Sequence, residues 1–296
     1  MVPVFPKYVI VSPVRDEERF IERTIRSVVD QRIRPTEWII VDDGSTDQTA
    51  SIIDRHASEH SWIRVVHRNN RGHRQSGGGV VEAFNDGYNA ISCREWDFLV
   101  KLDGDLAFNE LYFERCFERF RTEERLGIGG GTIYHLLGGQ ERVEKGPQFH
   151  VRGATKIYRR QCWDELGGLW IAPGWDTVDE LKAQMLGWKT ETFTDIRVLH
   201  QRLTGTAESR WSDLIKNGLA RYVAGYHPVF LLASCLLRLT YRPYLIHSLG
   251  LLFGYCKGYV KRVPQVNDPE LIRFVRKQQM NRLIGRRTIW GQNRLG

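Results

Sequence analysis

Three features are missing from this chain of 296 residues: closely spaced cysteines, a basic-then-apolar leader and an apolar run long enough to span a bilayer. The five cysteines include no Cys-x-x-Cys pair, which argues against a disulfide framework or zinc knuckle and suits a reducing cytoplasm. Met1 to Lys7 lead straight into a strand pattern, so we expect no secretory signal. A span needs about 20 uninterrupted apolar residues, and the two most apolar segments fall short of this length.

Net positive charge is confined to the C-terminal end of the chain. The whole chain carries a formal charge of +8, and residues 257–296 hold ten basic and two acidic residues, which is also +8. Residues 1–256 are therefore formally neutral. Such a basic tail is typical of contact with an anionic surface, either membrane or nucleic acid, although a solvated helix face has the same composition.

Apolar strand patterns alternate with helical patterns along the first hundred residues. The strand patterns cover residues 8–12, 38–41, 63–66 and 97–102, and the helical patterns cover 16–31, 46–59 and a stretch ending near Cys93. This alternation predicts an α/β fold with a mostly parallel sheet and helices on both faces. Shorter, partly antiparallel strands are expected at 127–131, 132–137, 151–158, 190–194 and 196–199, with helices over 160–166 and from Trp175.

The most informative motif is Asp103-Gly104-Asp105, which follows the fourth predicted strand directly. Two carboxylates one residue apart suit a hard divalent cation that takes its other ligands from water and substrate phosphates. An acidic turn, in which Gly104 supplies unusual backbone angles, is the alternative. Ligands of such sheets bind outside the carboxyl ends of the strands, where several further polar residues are expected. These residues are Asp16, Asp42, Asp43, Asn70 and Gly72.

Together these segments resemble the family-two glycosyltransferases of the inverting GT-A type, whose fold is Rossmann-like. The resemblance covers roughly residues 7–205, and its most specific stretch is Val41-Asp42-Asp43-Gly44-Ser45-Thr46-Asp47. The other segments that carry it are residues 11–18, 70–72, 102–105, 163–168 and 175–180. It implies a GT-A catalytic domain over residues 1–205 and a helical, apolar and then basic C-terminal region over residues 206–296.

The resemblance implies a nucleotide-sugar donor, with UDP, GDP and dTDP all open, and transfer of a hexose. The residues that it assigns to the donor are Pro13, Asp16, Asp42, Asp43, Asn70, Arg71, Arg74 and Asp103. Their carboxylates can accept hydrogen bonds from ribose, and their guanidinium groups can bind phosphate. Residues 75–79 read Gln-Ser-Gly-Gly-Gly where the family usually has Ala-Arg-Asn. The resemblance therefore does not specify how this stretch contacts the nucleotide sugar, and a flexible hinge is the alternative.

The resemblance also implies Mn²⁺ or Mg²⁺ and a single displacement at the anomeric carbon. Asp105 is expected to contact the metal directly, while Asp103 contacts ribose or reaches the metal through water. His200 either completes the metal shell, touches phosphate or is structural, and Arg202 could assist the diphosphate.

The expected catalytic base is Asp179, because it matches the second acid of the family's Glu-Asp pair. Val178 replaces the Glu, so Glu180 is a rival, and both acids could instead be favourable charges in a first helical turn. Trp175 and Asp176 are expected at the acceptor, with a core tryptophan and a helix cap as the alternatives.

Two apolar segments, residues 229–237 and 243–256, precede the basic tail. They fit interfacial or re-entrant helices, or a buried hairpin that caps the catalytic domain or forms a homodimer. We expect peripheral or monotopic attachment to the cytoplasmic face of a membrane. Arg210-Trp211 lacks the preceding Gln of the processive synthases, which favours single addition to a lipid-linked or glycan acceptor in polysaccharide or cell-envelope biosynthesis.

Other functions compete with this interpretation. A sugar nucleotidyltransferase would need a glycine-rich basic loop after the first strand, which residues 12–16 do not supply. A nucleic-acid-binding protein that uses the basic tail leaves the aspartates unexplained and lacks a recognised module, so we expect no nucleic-acid partner. A catalytically silent scaffold is a third possibility. The sugar, nucleotide, acceptor and linkage are not specified by these patterns.

Overall fold

The computed structural model describes residues 5–72, 78–144, 146–202, 207–238 and 245–290. The chain forms two compact units. The first comprises Met1–Gly168 with Leu186–Leu203, and the second comprises Leu169–Met185 with Thr204–Gly296. Residues 169–185 thus belong with the C-terminal helices, a grouping that the sequence pattern did not indicate. The predicted domain boundary after residue 205 stays a prediction.

The first unit is built on a mixed, mostly parallel sheet, as the sequence predicts. Its strands within the described residues are β1 (Tyr8–Val14), β2 (Glu37–Asp42), β3 (Ile63–His67), β4 (Phe98–Leu102), β5 (Leu106–Ala107), β6 (Leu126–Leu137), β7 (Gln140–Val143), β8 (Thr155–Arg159) and β9 (Lys189–His200). Their order is β3-β2-β1-β4-β8-β6-β9-β5, and β7 pairs with β6. The strands β1 to β4 run parallel, while β8 is antiparallel to both β4 and β6.

Helices cover both faces of this sheet. The helices described in the first unit are α1 (Ile21–Val29), α2 (Thr49–Glu59), α3 (Gly78–Asn89), α4 (Tyr112–Thr122) and α5 (Arg160–Leu166). Ile10 and Ile40 join the core beneath α1, α2 and α4, while Gly87 of α3 lies against Val11 and Val41. Successive strand residues point to opposite faces, so a sheet covered on both sides needs continuously apolar strands.

Several predicted boundaries are shifted in the structure. The helix predicted from residue 16 begins at Ile21, and the helix predicted from residue 46 begins at Thr49. The strand pairs predicted at 127–137 and 190–199 are each one continuous strand, because β6 and β9 absorb a shift in register at Gly131/Thr132 without breaking. Gly78 and Gly79, which were expected to belong to a hinge, are the first two residues of α3. The remaining residues of that expected hinge, 75–77, lie outside the described residues.

The second unit is helical throughout its described elements. These are α6 (Trp175–Met185), α7 (Ala207–Val223), α8 (Pro228–Arg238), α9 (Ile246–Val260) and α10 (Pro269–Leu283). Apolar residues of α6 pack with those of α10, and residues of α7 pack with those of α8 and α9. Within the part of the chain that the structure describes, no helix combines the length and hydropathy needed to cross a bilayer.

The backbones of α7 and α9 come unusually close. A Cβ at Gly254 would lie 2.0 Å from the carbonyl oxygen of Ile215. Alanine is intrinsically more favourable than glycine in a helix by about 1 kcal/mol, but this clash with backbone outweighs that gain. We therefore expect Gly254→Ala to lower the free energy of unfolding by about 1–3 kcal/mol in urea titrations followed by circular dichroism. Gly146→Ala, where a Cβ meets nothing within 4 Å, is the control, and an unchanged midpoint for Gly254→Ala would contradict the expectation.

Candidate active site

The loops after β1 and β2 are joined by Asp16. Asp16 Oδ1 accepts a hydrogen bond from the backbone N–H of Thr46 at 2.8 Å, and its own N–H donates to Ser45 Oγ at 3.0 Å. The φ of Asp16 is +53°, a left-handed conformation that few residues other than glycine and asparagine or aspartate adopt readily. These hydrogen bonds hold Asp16, which we predict to contact the nucleotide sugar, in one position. Pro13, also assigned to the donor, lies within β1 opposite Val41.

Asp42 is buried at the end of β2 and is held on both carboxylate oxygens. Oδ1 accepts from the N–H of Ser45 at 2.9 Å, and Oδ2 lies 3.1 Å from His67 Nδ1. The other ring nitrogen of His67 lies 3.0 Å from Asp54 Oδ1. Burial lowers the pKa of His67, but hydrogen bonds and charges from Asp42 and Asp54 outweigh burial and raise its pKa above the ordinary value.

This histidine predicts a pH dependence of stability. Because the pKa of His67 is raised in the folded state, its stabilising contribution is complete below about pH 6.5 and disappears as pH rises through the folded-state pKa. The side chain is 45% exposed, so screening keeps the contribution below about 1 kcal/mol. We expect His67→Gln to lower the melting temperature more at pH 5.5 than at pH 8.5. A difference that grows with pH would refute the assignment.

Asp43 is bound by two guanidinium groups. Arg68 donates to Oδ1 at 2.5 Å and Arg71 donates to Oδ2 at 2.6 Å. Arg71 also donates to Glu82 at 2.5 Å. Each carboxylate oxygen of Asp43 has a second lone pair, which can still accept a hydrogen bond from a nucleotide sugar. Arg71, in contrast, is engaged by the carboxylates of Asp43 and Glu82 in this structure. Arg74, which we also assign to the donor, lies outside the described residues.

Arg15 and Gly44 bring Asn70 next to Asp43. The Arg15 guanidinium donates to the carbonyl oxygen of Asp43 at 3.0 Å and to Asn70 Oδ1 at 2.9 Å. Gly44 has φ +72°, and a Cβ there would lie 2.5 Å from the Cα of Asn70. Only glycine satisfies both the left-handed backbone and this close approach. The loop after β3 packs against the loop after β2 at Asn70, and this packing requires a glycine at position 44.

The Asp103 carboxylate is paired with a buried lysine. Lys101, which is 2% exposed, donates through Nζ to Asp103 Oδ1 and to the carbonyl oxygen of Gly153 at 2.6 Å. One of the two carboxylates of the motif is thus already neutralised by the protein. A Cβ at Gly104 would lie 2.8 Å from the Val14 side chain, which explains the glycine between the two aspartates.

Asp105 is buried, and its two carboxylate oxygens differ in their contacts. Oδ2 lies 3.1 Å from His200 Nε2 and accepts from Arg202 Nε at 3.2 Å. Antiparallel pairing of Leu106 with His200 brings these residues together. Burial raises the pKa of Asp105, but His200 and Arg202 outweigh burial and hold that pKa below its ordinary value. Asp105 Oδ1 is buried and has no hydrogen-bond partner among the described residues.

These residues fit a hard divalent cation. A buried carboxylate oxygen without a partner is costly, and a cation that accepts its lone pair would remove that cost. Carboxylate oxygens are the ligands that Mg²⁺ and Mn²⁺ prefer. Asp105 would hold the ion through Oδ1, with Asp103 and His200 beside it. Assignment of these three residues to a metal stays a prediction.

Glu17, Lys101 and His135 enter this site without having been predicted. Arg202 also donates to the buried carboxylate of Glu17, and so joins the residues after β1 to the metal candidate after β4. The ring of His135 lies 5.0 Å from that of His200. Glu17 stands within the segment 11–18 that carries the resemblance, and Lys101 comes two residues before Asp103, the spacing that places extended side chains on one face, so both have a usable signal in the sequence. His135 had none.

The predicted base and acceptor residues belong to the second unit. Trp175 is the buried first residue of α6, and Asp176 lies in its first turn and is not a preceding cap. Asp179 and Glu180 are 3% and 2% exposed, and the N–H of Glu180 donates to Asp179 Oδ1 at 2.7 Å. Both acids lie beyond the first turn, where helix-dipole stabilisation fades. Their catalytic roles, and the acceptor roles of Trp175 and Asp176, stay predictions.

Residues 9–169 match the family described as Glycosyl transferase family 2. The chain belongs to glycosyltransferase family 2. The glycosyltransferase AglD of Haloferax volcanii is 35% identical over 210 residues, covering 62% of this chain and 32% of AglD. The chain spans less than half the length of the curated relatives it matches.

Solved structures show the same GT-A fold. The mannosyltransferase PcManGT of Pyrobaculum calidifontis, in complex with GDP-Man and Mn²⁺, matches with a TM-score of 0.57 and 15% identity over 91% of this chain and 78% of that chain. TarS 1-349 of S. aureus, in complex with UDP-GlcNAc, matches with a TM-score of 0.56 and 15% identity over 95% and 93%. At this identity the likeness concerns the fold.

Proposed function

We propose that this family-two glycosyltransferase is an inverting, metal-dependent hexosyltransferase. It moves one sugar from a nucleoside-diphosphate donor to a hydroxyl of a lipid-linked or glycan acceptor, within polysaccharide or cell-envelope biosynthesis. The observation that carries the proposal is the buried Oδ1 of Asp105, after β4, which has no hydrogen-bond partner in the part of the chain that the structure describes. The Asp42 and Asp43 carboxylates at the end of β2, which β1 separates from β4, support a nucleotide at the same edge of the sheet, because ribose and base offer hydrogen-bond donors to carboxylates.

The reaction makes and breaks one bond at the anomeric carbon. The acceptor oxygen bonds to that carbon on the face opposite the leaving group, the bond to the diphosphate oxygen breaks, and the nucleoside diphosphate leaves with the electron pair. Asp179 takes the proton of the acceptor hydroxyl, a role for which a buried carboxylate is suited. Trp175 and Asp176 position the acceptor sugar. When bound, a divalent cation supplies positive charge that balances the departing diphosphate.

The donor proposal is tested by a thermal-shift screen of the full chain. UDP-, GDP- and dTDP-sugars are each added with Mn²⁺, and again with EDTA. A ligand at about 100 times its Kd contributes about 2.7 kcal/mol, so one nucleotide class should raise the melting temperature by about 5–10 °C, and EDTA should remove the increase. No shift with any donor, or equal shifts with and without metal, would contradict a metal-dependent donor site.

We also propose that the second unit attaches to an anionic membrane surface. Leu232, Leu236, Leu249 and Phe253 of α8 and α9 are each more than half exposed. Exposed basic residues follow in the chain: Lys261, Arg262, Arg273, Lys277, Arg286 and Arg287. Apolar side chains that enter the headgroup region, with basic residues that contact anionic lipids, are typical of monotopic attachment. We place this attachment at the cytoplasmic face of the membrane, where such an enzyme would meet its nucleotide-sugar donor.

Vesicle flotation tests this attachment. The protein should float with vesicles that contain anionic lipid and less with neutral vesicles. Leu249→Asp combined with Phe253→Asp should reduce the floated fraction at least about 10-fold, since charged groups resist burial in the interface. Val143→Asp, at a half-exposed valine of β7, is the matched control. Flotation that is unaffected by the paired variant would refute the proposal, and loss of dimers with the same variant would instead favour a homodimer.

A further inference from the structure

A second group of metal-ligating side chains lies at the C-terminal end of α2. His56 and Glu59 lie three residues apart, on one side of the last turn of α2, and His60 directly follows the helix with extended backbone (φ −131°, ψ 101°). One possible ligand atom from each lies within 4.8 Å of the others. Buried His56 is joined here by half-buried His60 and exposed Glu59. The group lies outside the aspartate motifs and has no part in the proposed transfer reaction.

His56 is oriented by a carboxylate of the neighbouring helix. Its Nε2 lies 3.1 Å from Glu22 Oε2 of α1, and Arg55 also donates to that oxygen. An ionised carboxylate can only accept a hydrogen bond, so Nε2 carries a hydrogen, and Nδ1 is the ring nitrogen that can bind a metal. A carboxylate behind an imidazole is the arrangement that fixes the tautomer of metal-bound histidines and strengthens them as ligands.

His56 Nδ1 faces a carboxylate of its own helix. His56 Nδ1 is buried and has no hydrogen-bond partner among the described residues, and Glu59 Oε2 lies 3.5 Å away. Two ligands of a tetrahedral ion, each about 2.0–2.1 Å from the metal, are about 3.3 Å apart. The nitrogen and oxygen are thus spaced to share one ion. The His60 ring lies parallel to that of His56 within 8°, at a centroid distance of 6.3 Å.

We propose that His56 Nδ1, the Glu59 carboxylate and a ring nitrogen of His60 bind one borderline divalent transition-metal ion, with Zn²⁺ as its natural occupant. Three protein ligands leave a fourth position for water. A depression of about 510 Å³, lined by Glu22, Arg26, Ile52, Arg55, His56 and Glu59, provides access. Imidazole nitrogens favour Zn²⁺ over the hard cations that suit Asp105, so the two sites differ in chemistry. The ion would connect the end of α2 to α1 through Glu22.

Cobalt absorption tests the site on the metal-free full chain in excess Mg²⁺. Tetrahedral nitrogen-ligated Co²⁺ has intense visible bands, whereas octahedral oxygen-ligated Co²⁺ absorbs weakly, so ions at the aspartate motif contribute little. We expect one equivalent of Co²⁺ to produce the bands and one equivalent of Zn²⁺ to remove them. Glu22→Gln should weaken Co²⁺ binding about 10–100-fold, and Glu59→Gln or His60→Ala should weaken it more.

Two controls keep the result specific. Glu124→Gln changes an exposed glutamate elsewhere in the first unit, and it should bind Co²⁺ as the natural chain does. Asp105→Asn should also retain the bands. Absence of the bands would overturn the proposal and favour a protonated His56 that donates to both Glu22 and Glu59. Bands that survive both Glu59→Gln and His60→Ala would overturn it as well, because the ion would then lie elsewhere.

Discussion

Asp105→Asn lowers kcat/KM for sugar transfer by at least about 10³-fold while the protein stays folded. The substitution removes the charge of the buried carboxylate whose Oδ1 has no partner among the described residues. A metal ion at a developing leaving-group charge contributes several kcal/mol, and about 4 kcal/mol corresponds to a factor of 10³ in rate. The measurement is initial-rate kinetics over a range of Mn²⁺ concentrations with the donor identified by thermal shift. The natural enzyme should lose activity in EDTA and regain it with Mn²⁺ or Mg²⁺.

Asp195→Asn provides the matched control for this prediction. Asp195 is a half-exposed aspartate that accepts from Arg115 and Arg119 on the surface of the first unit. The same change of charge there should leave kcat/KM within about twofold, because exposed ion pairs contribute little. Full turnover of Asp105→Asn, or full turnover of the natural enzyme without divalent metal, would contradict the assignment of Asp105.

The parallel half of the fold follows from local patterns that are strong. Runs such as Val9-Ile10-Val11 and Trp38-Ile39-Ile40-Val41 are buried on both faces, so hydrophobicity alone identifies their strands. The acids at the strand ends then share one edge of the sheet. Helix starts were less predictable, because residues 15–18 and 45–48 have helix-compatible side chains but are held in loops by hydrogen bonds to one another.

Long-range contacts explain what local patterns did not predict. The pairing of Lys101 with Asp103 has a local signal, but the bridge from Arg202 to Glu17 joins residues 185 positions apart. A Cβ at Gly129 of β6 would lie 2.6 Å from the Phe193 side chain, so packing against a strand that is distant in sequence requires a glycine there. The grouping of α6 with the C-terminal helices depends on apolar contacts of Val178 and Leu181 with Leu271 and Val275.

Asp179→Asn lowers kcat by about 10²–10⁴-fold and leaves the Kd of the donor nearly unchanged. A general base contributes a factor of this size, and asparagine has the same shape but cannot take up the proton of the acceptor hydroxyl. Donor affinity, measured by thermal shift with Mn²⁺, reports whether the nucleotide site is intact. Equal losses of turnover and donor affinity would show that Asp179 supports the fold or the donor and is not the base.

Glu180→Gln is the matched variant, because Glu180 is the adjacent acid in α6 and is equally buried. If Asp179 is the base, Glu180→Gln should retain kcat within about tenfold, and the reverse pattern would assign the base to Glu180. The separation of kcat from donor Kd decides the role. Only the base contacts a proton that moves in the transition state, whereas a structural acid affects donor complex and transition state alike. A variant that binds the donor normally but does not transfer its sugar has therefore lost a group needed only for the chemical step.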